Sequence, residues 1–330
     1  MESGPAPFWL TNRGVLTAAY MALMFSYIVT GAIGVPAHQY VRGYLDATPY
    51  QGDWYMEAYL LTCALMLTLV GNVKRRFGNR TMSIAGPLLF SWGMFGASLA
   101  LSDGFFITMR ILQGLGAACC AAVGGGYLNG GIGKTHGLYG KGLFVLTFAF
   151  GATSGIAISA AITWYISWRV LFASIGLLLL VALALIIRYA SDDGADPSVR
   201  IDWLTFALIC GGFGLFAISL KVGNQHEWFQ SPTYVVMLTI SLVCMVCFFI
   251  RFAGSPPLVN PKVFSDINFT ISTINLTLIL FAVFLVFAIV PSFMVTVTGN
   301  TIATYVIPFA GFSIASVISI GLFAPAVNPY

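Results

Sequence analysis

The chain has 330 residues, of which 58% are hydrophobic and 8% charged; mean hydropathy is +0.90 and net charge +4. An ordinary soluble domain carries about 25% charged residues, so these few charges cannot cover a water-soluble globule of this size. A soluble enzyme, a nucleic-acid binder and a disordered chain are excluded, which leaves an all-α integral membrane protein.

A barrel would show short segments of alternating polarity. Here the apolar runs reach about twenty residues or more, the length of a membrane-crossing helix. Ten such helices are expected, near 15–36, 53–73, 82–101, 105–128, 142–164, 168–188, 202–221, 232–251, 269–294 and 302–325. Ser102-Asp103-Gly104 is so short a connection that the third and fourth must be antiparallel neighbours. With the N-terminus in the cytoplasm, that side holds Arg13, Lys74, Arg75, Arg76, Arg80, Lys134, Lys141, Arg188, Arg200, Arg251 and Lys262. The outer side holds Arg42, Arg169 and Lys221, so the positive-inside rule fixes the orientation. Arg110 is left inside the fourth helix. The polar stretch Ser191–Pro197 divides the chain into a six-helix bundle (1–190), a linker with two further helices (191–255) and two helices of an incomplete second bundle (256–330).

All six cysteines fall in apolar runs, so packing rather than disulfide formation is expected. Cys244-Val-Met-Cys247 has no second pair to make a metal site. His38, His136 and His226 lie in separate predicted loops. Gly130-Gly-Ile-Gly133-Lys134-Thr135 lacks the first glycine and the preceding strand of a phosphate-binding loop.

Several motifs line up along the chain. Trp54 and Tyr59 open the second helix, and Gly71-Asn-Val-Lys-Arg75-Arg76-Phe77-Gly78-Asn-Arg80 follows it. The fourth helix reads Arg110-Ile-Leu-Gln113-Gly114-Leu-Gly116-Ala117. The fifth contains Gly155-Ile156, and Ser167-Trp168-Arg169 begins the sixth. Ile201-Asp202-Trp203 and Pro257-Leu258 precede later helices. Together these resemble the major facilitator superfamily, and within it the fourteen-helix drug/proton antiporters of the EmrB/QacA type. Arg75 stands where many members have Asp, Ile156 replaces a proline, and Tyr27 replaces a membrane Asp nine residues before Pro36.

The resemblance implies proton-coupled export of small lipophilic molecules by alternating access, across a bacterial inner membrane. Glu57 is the one carboxylate placed inside a span and is the expected proton carrier, with Arg110 as its charge partner. Tyr27, Tyr59, Gln113 and Phe148 are the expected lining of the substrate path. Gly71, Arg75, Arg76, Gly78, Arg80, Gly114, Gly116, Gly155, Trp168 and Arg169 are the expected conformational motif. The partners implied are a lipid bilayer, protons and a small-molecule substrate, with a homo-oligomer or a periplasmic adaptor as further candidates; no nucleic acid, cofactor or metal is expected. Family members run to about fourteen helices, so a shortened, non-transporting membrane protein is one alternative, and a dedicated siderophore or metabolite transporter is another.

Overall fold

The computed structural model describes residues 11–131, 137–191, 195–223, 225–254, 261–296, 309–315 and 318, and every regular element among them is a helix. Seven helical segments are long and apolar enough to cross a membrane. The predicted tenth helix, and with it His136 and Pro257-Leu258, lies wholly or largely outside the described residues.

Helix α1 (Asn12–Ala32) starts at Thr11, whose hydroxyl accepts from the Gly14 amide. The first predicted span closes at Pro36, but the chain pauses for one residue, Ile33, and resumes as α2 (Gly34–Tyr44). Pro36 sits in the first turn of α2, where a missing N–H costs no hydrogen bond. His38 therefore lies on a helix, not in the expected loop. Helix α3 (Pro49–Phe77) begins with a capping box: Thr48 accepts from the Gln51 amide while the Gln51 side chain accepts from the Thr48 amide, with Pro49 at the first position. This start places Asp53 inside the helix beside Glu57, where the sequence suggests a helix end. Gly78, with φ of 89°, separates α3 from α4 (Asn79–Ser98). Only glycine adopts that backbone without strain.

Ser102 caps α5 (Asp103–Gly126), which ends in a π-helical turn over Tyr127–Gly131. Next come α6 (Gly137–Tyr165) and α7 (Trp168–Tyr189), the latter capped by Ser167. Helix α5 is central: α3 and α4 pack along it, α1 crosses it, and α7 covers α4 and α1. Its glycines set those approaches. A Cβ on Gly114 would stand 2.7 Å from the Tyr59 carbonyl, and one on Gly116 would stand 2.5 Å from the Phe90 amide. Small residues let membrane helices close to backbone contact.

The next hairpin is α8 (Trp203–Ile209), a π-helical turn at Cys210–Gly214, α9 (Leu215–Val222), and α10 (Pro232–Gly254). The π turn lengthens one ring of the ladder, and the Ser241 hydroxyl of α10 donates to the Gly212 carbonyl at 2.9 Å. Helix α11 (Ile267–Thr296) follows a 3-10 turn at Pro261–Ser265.

Candidate functional site

Arg110 is wholly buried, and it is the one fully enclosed side chain of fixed charge among the described residues. Its Nε donates to the Tyr55 carbonyl at 2.6 Å and its Nη1 to Gln113 Oε1 at 2.6 Å. Gln113 Nε2 passes the chain on to the Gly93 carbonyl of α4 at 2.9 Å. The guanidinium lies 4.6 Å from the Tyr59 ring centre and 5.9 Å from that of Phe172. Tyr59 in turn donates to the Tyr27 carbonyl at 2.8 Å. Hydrogen bonds to a charged group contribute about 1.5–3 kcal/mol each, so this network ties α1, α3, α4 and α5 through one cation. Its geometry depends on Gly114, one residue past Gln113, which lets α3 come near enough for the Tyr55 carbonyl to receive Nε.

Glu57 is held elsewhere. Lys221 of α9 donates to Glu57 Oε1 at 2.8 Å and to Asp53 Oδ2 at 3.0 Å. The expected pairing of Glu57 with Arg110 is replaced in this state by a three-charge group linking α3 to the hairpin. Lys221 carries no motif, and 164 residues separate it from Glu57, so no local pattern announces the contact.

At the other end of α3, Arg76 Nη1 donates to the Val199 carbonyl at 2.9 Å, and the Arg75 carbonyl accepts from the Asp196 amide at 3.0 Å. Asp196 also accepts from the Ser198 amide and hydroxyl, at 3.0 and 2.6 Å, and these bonds hold its carboxyl below the usual range. Asp202 receives Arg251 at 3.0 Å. The linker before the hairpin is thus bound to one end of α3 and Lys221 of the hairpin to the other. Gly71 stands open, with no atom near the place a methyl would occupy, whereas Gly155 abuts Ala32 and Val29 of α1. Arg80 begins α4 two residues past Gly78. Arg169 donates to the Ser98 and Ala100 carbonyls at 3.4 and 3.0 Å and stacks on Tyr44 and Trp168.

The expected path residues divide in two. Tyr59 and Gln113 are sealed in the Arg110 network, while Tyr27 and Phe148 pack together with Met24, Ile28, Leu128 and Leu143 between α1 and α6. Beside the latter group is an open groove of about 440 Å³ lined by Met21, Ala22, Phe25, Leu146, Thr147, Phe150 and Leu178. Its one hydroxyl, on Thr147, is spent on the Leu143 carbonyl. The groove therefore offers apolar contact and no free donor. The six cysteines are unbridged, and no group of three or more His, Cys, Asp or Glu is placed to hold a metal among the described residues.

A polytopic helical bundle with a buried arginine on a glycine-rich central helix has the build of a secondary transporter. The chain belongs to the Major Facilitator Superfamily, whose family model matches residues 19–329. Among curated proteins it is similar to the multidrug export protein EmrB of Escherichia coli K12, 22% identical over 290 residues, covering 87% of this chain and 56% of EmrB. The probable multidrug resistance protein EmrY of the same strain is 21% identical over 285 residues, with 84% and 54% covered. The fatty acid resistance protein FarB of Neisseria gonorrhoeae is 24% identical over 281 residues, with 83% and 54% covered. This chain spans about half the length of these relatives. The crystal structure of the POT family transporter PepTSo shares the fold, with a TM-score of 0.52 at 16% identity, covering 73% of this chain and 52% of that one.

Proposed function

We propose that this chain works as a proton-coupled exporter of small lipophilic molecules, by alternating access, in a bacterial inner membrane. The observation that carries this reading is the open, wholly apolar groove between α1, α6 and α7, in a family member whose similar proteins include multidrug exporters. A lipophile entering it exchanges lipid or water for side-chain contact and need not leave a polar group unpaired. The bundle of residues 1–190 is the moving body, and Glu57 is the carboxylate that exchanges protons once Lys221 releases it. Tyr27 and Phe148 border the path.

The test is efflux of a lipophilic dye from cells expressing the chain. Efflux should collapse with a protonophore, and Glu57→Gln should uncouple it. Efflux that survives both treatments refutes the proton-coupled mechanism; no efflux of any lipophile refutes the exporter.

A further inference from the structure

The hairpin of α8, α9 and α10 is held on α3 by two kinds of contact, and they lie at opposite ends. At the outer end Lys221 Nζ stands 3.0 Å from Asp53 Oδ2 and 2.8 Å from Glu57 Oε1. The lysine side chain is 19% exposed, but that of Asp53 is 62% and that of Glu57 39% exposed. Ion pairs so open to solvent are weak, and salt screens them. At the inner end the Asp196 amide donates to the Arg75 carbonyl and Arg76 donates to the Val199 carbonyl. Neither of these bonds uses a carboxylate. Between the two ends, α8 and the π turn pack on α3 more closely than α9 does. A Cβ on Gly214, at the end of that turn, would stand 3.2 Å from Leu65 Cδ1. The firm contacts therefore belong to the inner half, and the outer half depends on Lys221.

The hairpin is stiff in itself. Arg251 Nε donates to Thr205 Oγ1 at 2.8 Å and its Nη2 to Asp202 Oδ2 at 3.0 Å, which ties the inner end of α10 to the start of α8. Ser241 ties the middle of α10 to the π turn. At the outer end the Trp228 ring lies against Gly223 and meets the Tyr234 ring at 5.8 Å. A stiff body held firmly at one end, and by exposed charges at the other, yields by tilting.

We propose that the hairpin is hinged to the first bundle at its inner end and latched at its outer end by Lys221, so that loss of charge on Asp53 and Glu57 lets the outer end tilt away from α3. In the latched state the ammonium covers both carboxylates. In the tilted state they face outer water. Few other charges stand near the latch. Helix α2 presents Arg42, whose stem lies against Gly52, one residue before Asp53. Helix α5 has Asp103 at its outer end, while its Arg110 is enclosed in the network described above. The chain beyond α9 adds His226 and Glu227. Helices α1 and α4 carry Arg13 and Arg80 at their inner ends, and Tyr20 and Tyr27 are the other titratable residues of α1. Helix α8 has no titratable residue, the π turn has only Cys210, and α10 adds Tyr234 at this end. Use of the latch in transport rests on the proton-coupled reading above; the latch itself does not, because its opening is read without a substrate.

The test is double electron–electron resonance on the full chain in lipid nanodiscs. The spin labels are carried on an unnatural amino acid, which leaves the native cysteines in place. Helix α10 reports on both ends: Val236 is paired with Phe105 of α5 at the outer end, and Ile250 with Ile187 of α7 at the inner end, all four side chains being exposed. With Asp53→Asn and Glu57→Gln together, the outer pair should gain a longer distance, populated roughly 2- to 30-fold more than in the parent, as expected for the loss of two exposed ion pairs. The inner pair should keep its distance. Molar salt should open the parent in the same way. Lys221→Glu combined with Glu57→Lys should bring the outer pair back to the short distance. An outer distance that neither neutralisation nor salt moves overturns the latch, as does an opening that the exchanged charges fail to reverse. Inner and outer pairs that shift together overturn the hinge. If no lipophile is transported at all, the exporter reading fails while these distances still decide the latch.

Discussion

Gly114→Ala tests how α3 and α5 meet. A methyl there would stand 2.7 Å from the Tyr59 carbonyl, 2.9 Å from Thr62 Cβ and 3.0 Å from the Cys63 amide nitrogen. All three neighbours are backbone or the first atom of a side chain, so no flexible end can swing away. Restoring ordinary van der Waals contact requires α3 to retreat by about 0.7 Å. The bond from Arg110 Nε to the Tyr55 carbonyl, now 2.6 Å, would stretch to about 3.3 Å, beyond the normal range for such bonds. Overpacking of this kind costs about 1–3 kcal/mol, and Tm should fall by roughly 2–12 °C. A thiol-reactive dye reads this in detergent, because Cys63, Cys119 and Cys120 are buried until unfolding while Cys247 sets the baseline. Gly71→Ala is the control: it lies within α3 with open space around it, so alanine should raise stability by up to about 1 kcal/mol. A Gly114→Ala protein as stable as the parent would refute the backbone contact assigned to this glycine.

Arg110→Lys keeps the charge but cannot serve both Tyr55 and Gln113. A loss of about 1.5–3 kcal/mol is expected in the same thermal assay, and an unchanged Tm would show that the fork is dispensable. Lys221 and Glu57 form a partly exposed pair, so a double-mutant cycle with Lys221→Met and Glu57→Gln should give a coupling of about 0.2–1 kcal/mol that fades in molar salt. A salt-independent coupling would contradict the ion pair. Burial pushes the Asp202 carboxyl up, but the Thr205 hydroxyl and amide and the Arg251 guanidinium outweigh it and hold the carboxyl below the usual value. A depressed carboxyl stabilises the fold above its unfolded pKa, near 4, and that stability is lost as pH falls through the lower folded value. Melting temperature should therefore drop between about pH 5 and pH 3, and drop less in Asp202→Asn; identical acid profiles would show that the pair contributes nothing.

Helices were legible wherever one local signal sufficed. Ser102, Ser167 and Asp202 sit at the caps that α5, α7 and α8 use, and uninterrupted apolar runs carry the spans between them. Pro36 misled because proline reads as a stop, while its cost vanishes in a first turn. Arg110 and Gln113 were legible as a motif because they are three apart on one helix. The partners of Glu57 and of Arg76 were not, since they come from the hairpin and from the linker before it, each more than a hundred residues downstream.

The Lys221 pairing also has a consequence in time. Asp53 and Glu57 enter the membrane early in synthesis, and their cation is made 164 residues after Glu57. At about 5–20 residues per second the two carboxylates wait roughly 10–30 s for neutralisation. Until the ribosome reaches position 221, α3 must hold its acidic end at the water boundary. The hairpin that follows the first bundle therefore completes the seating of a helix inserted long before it.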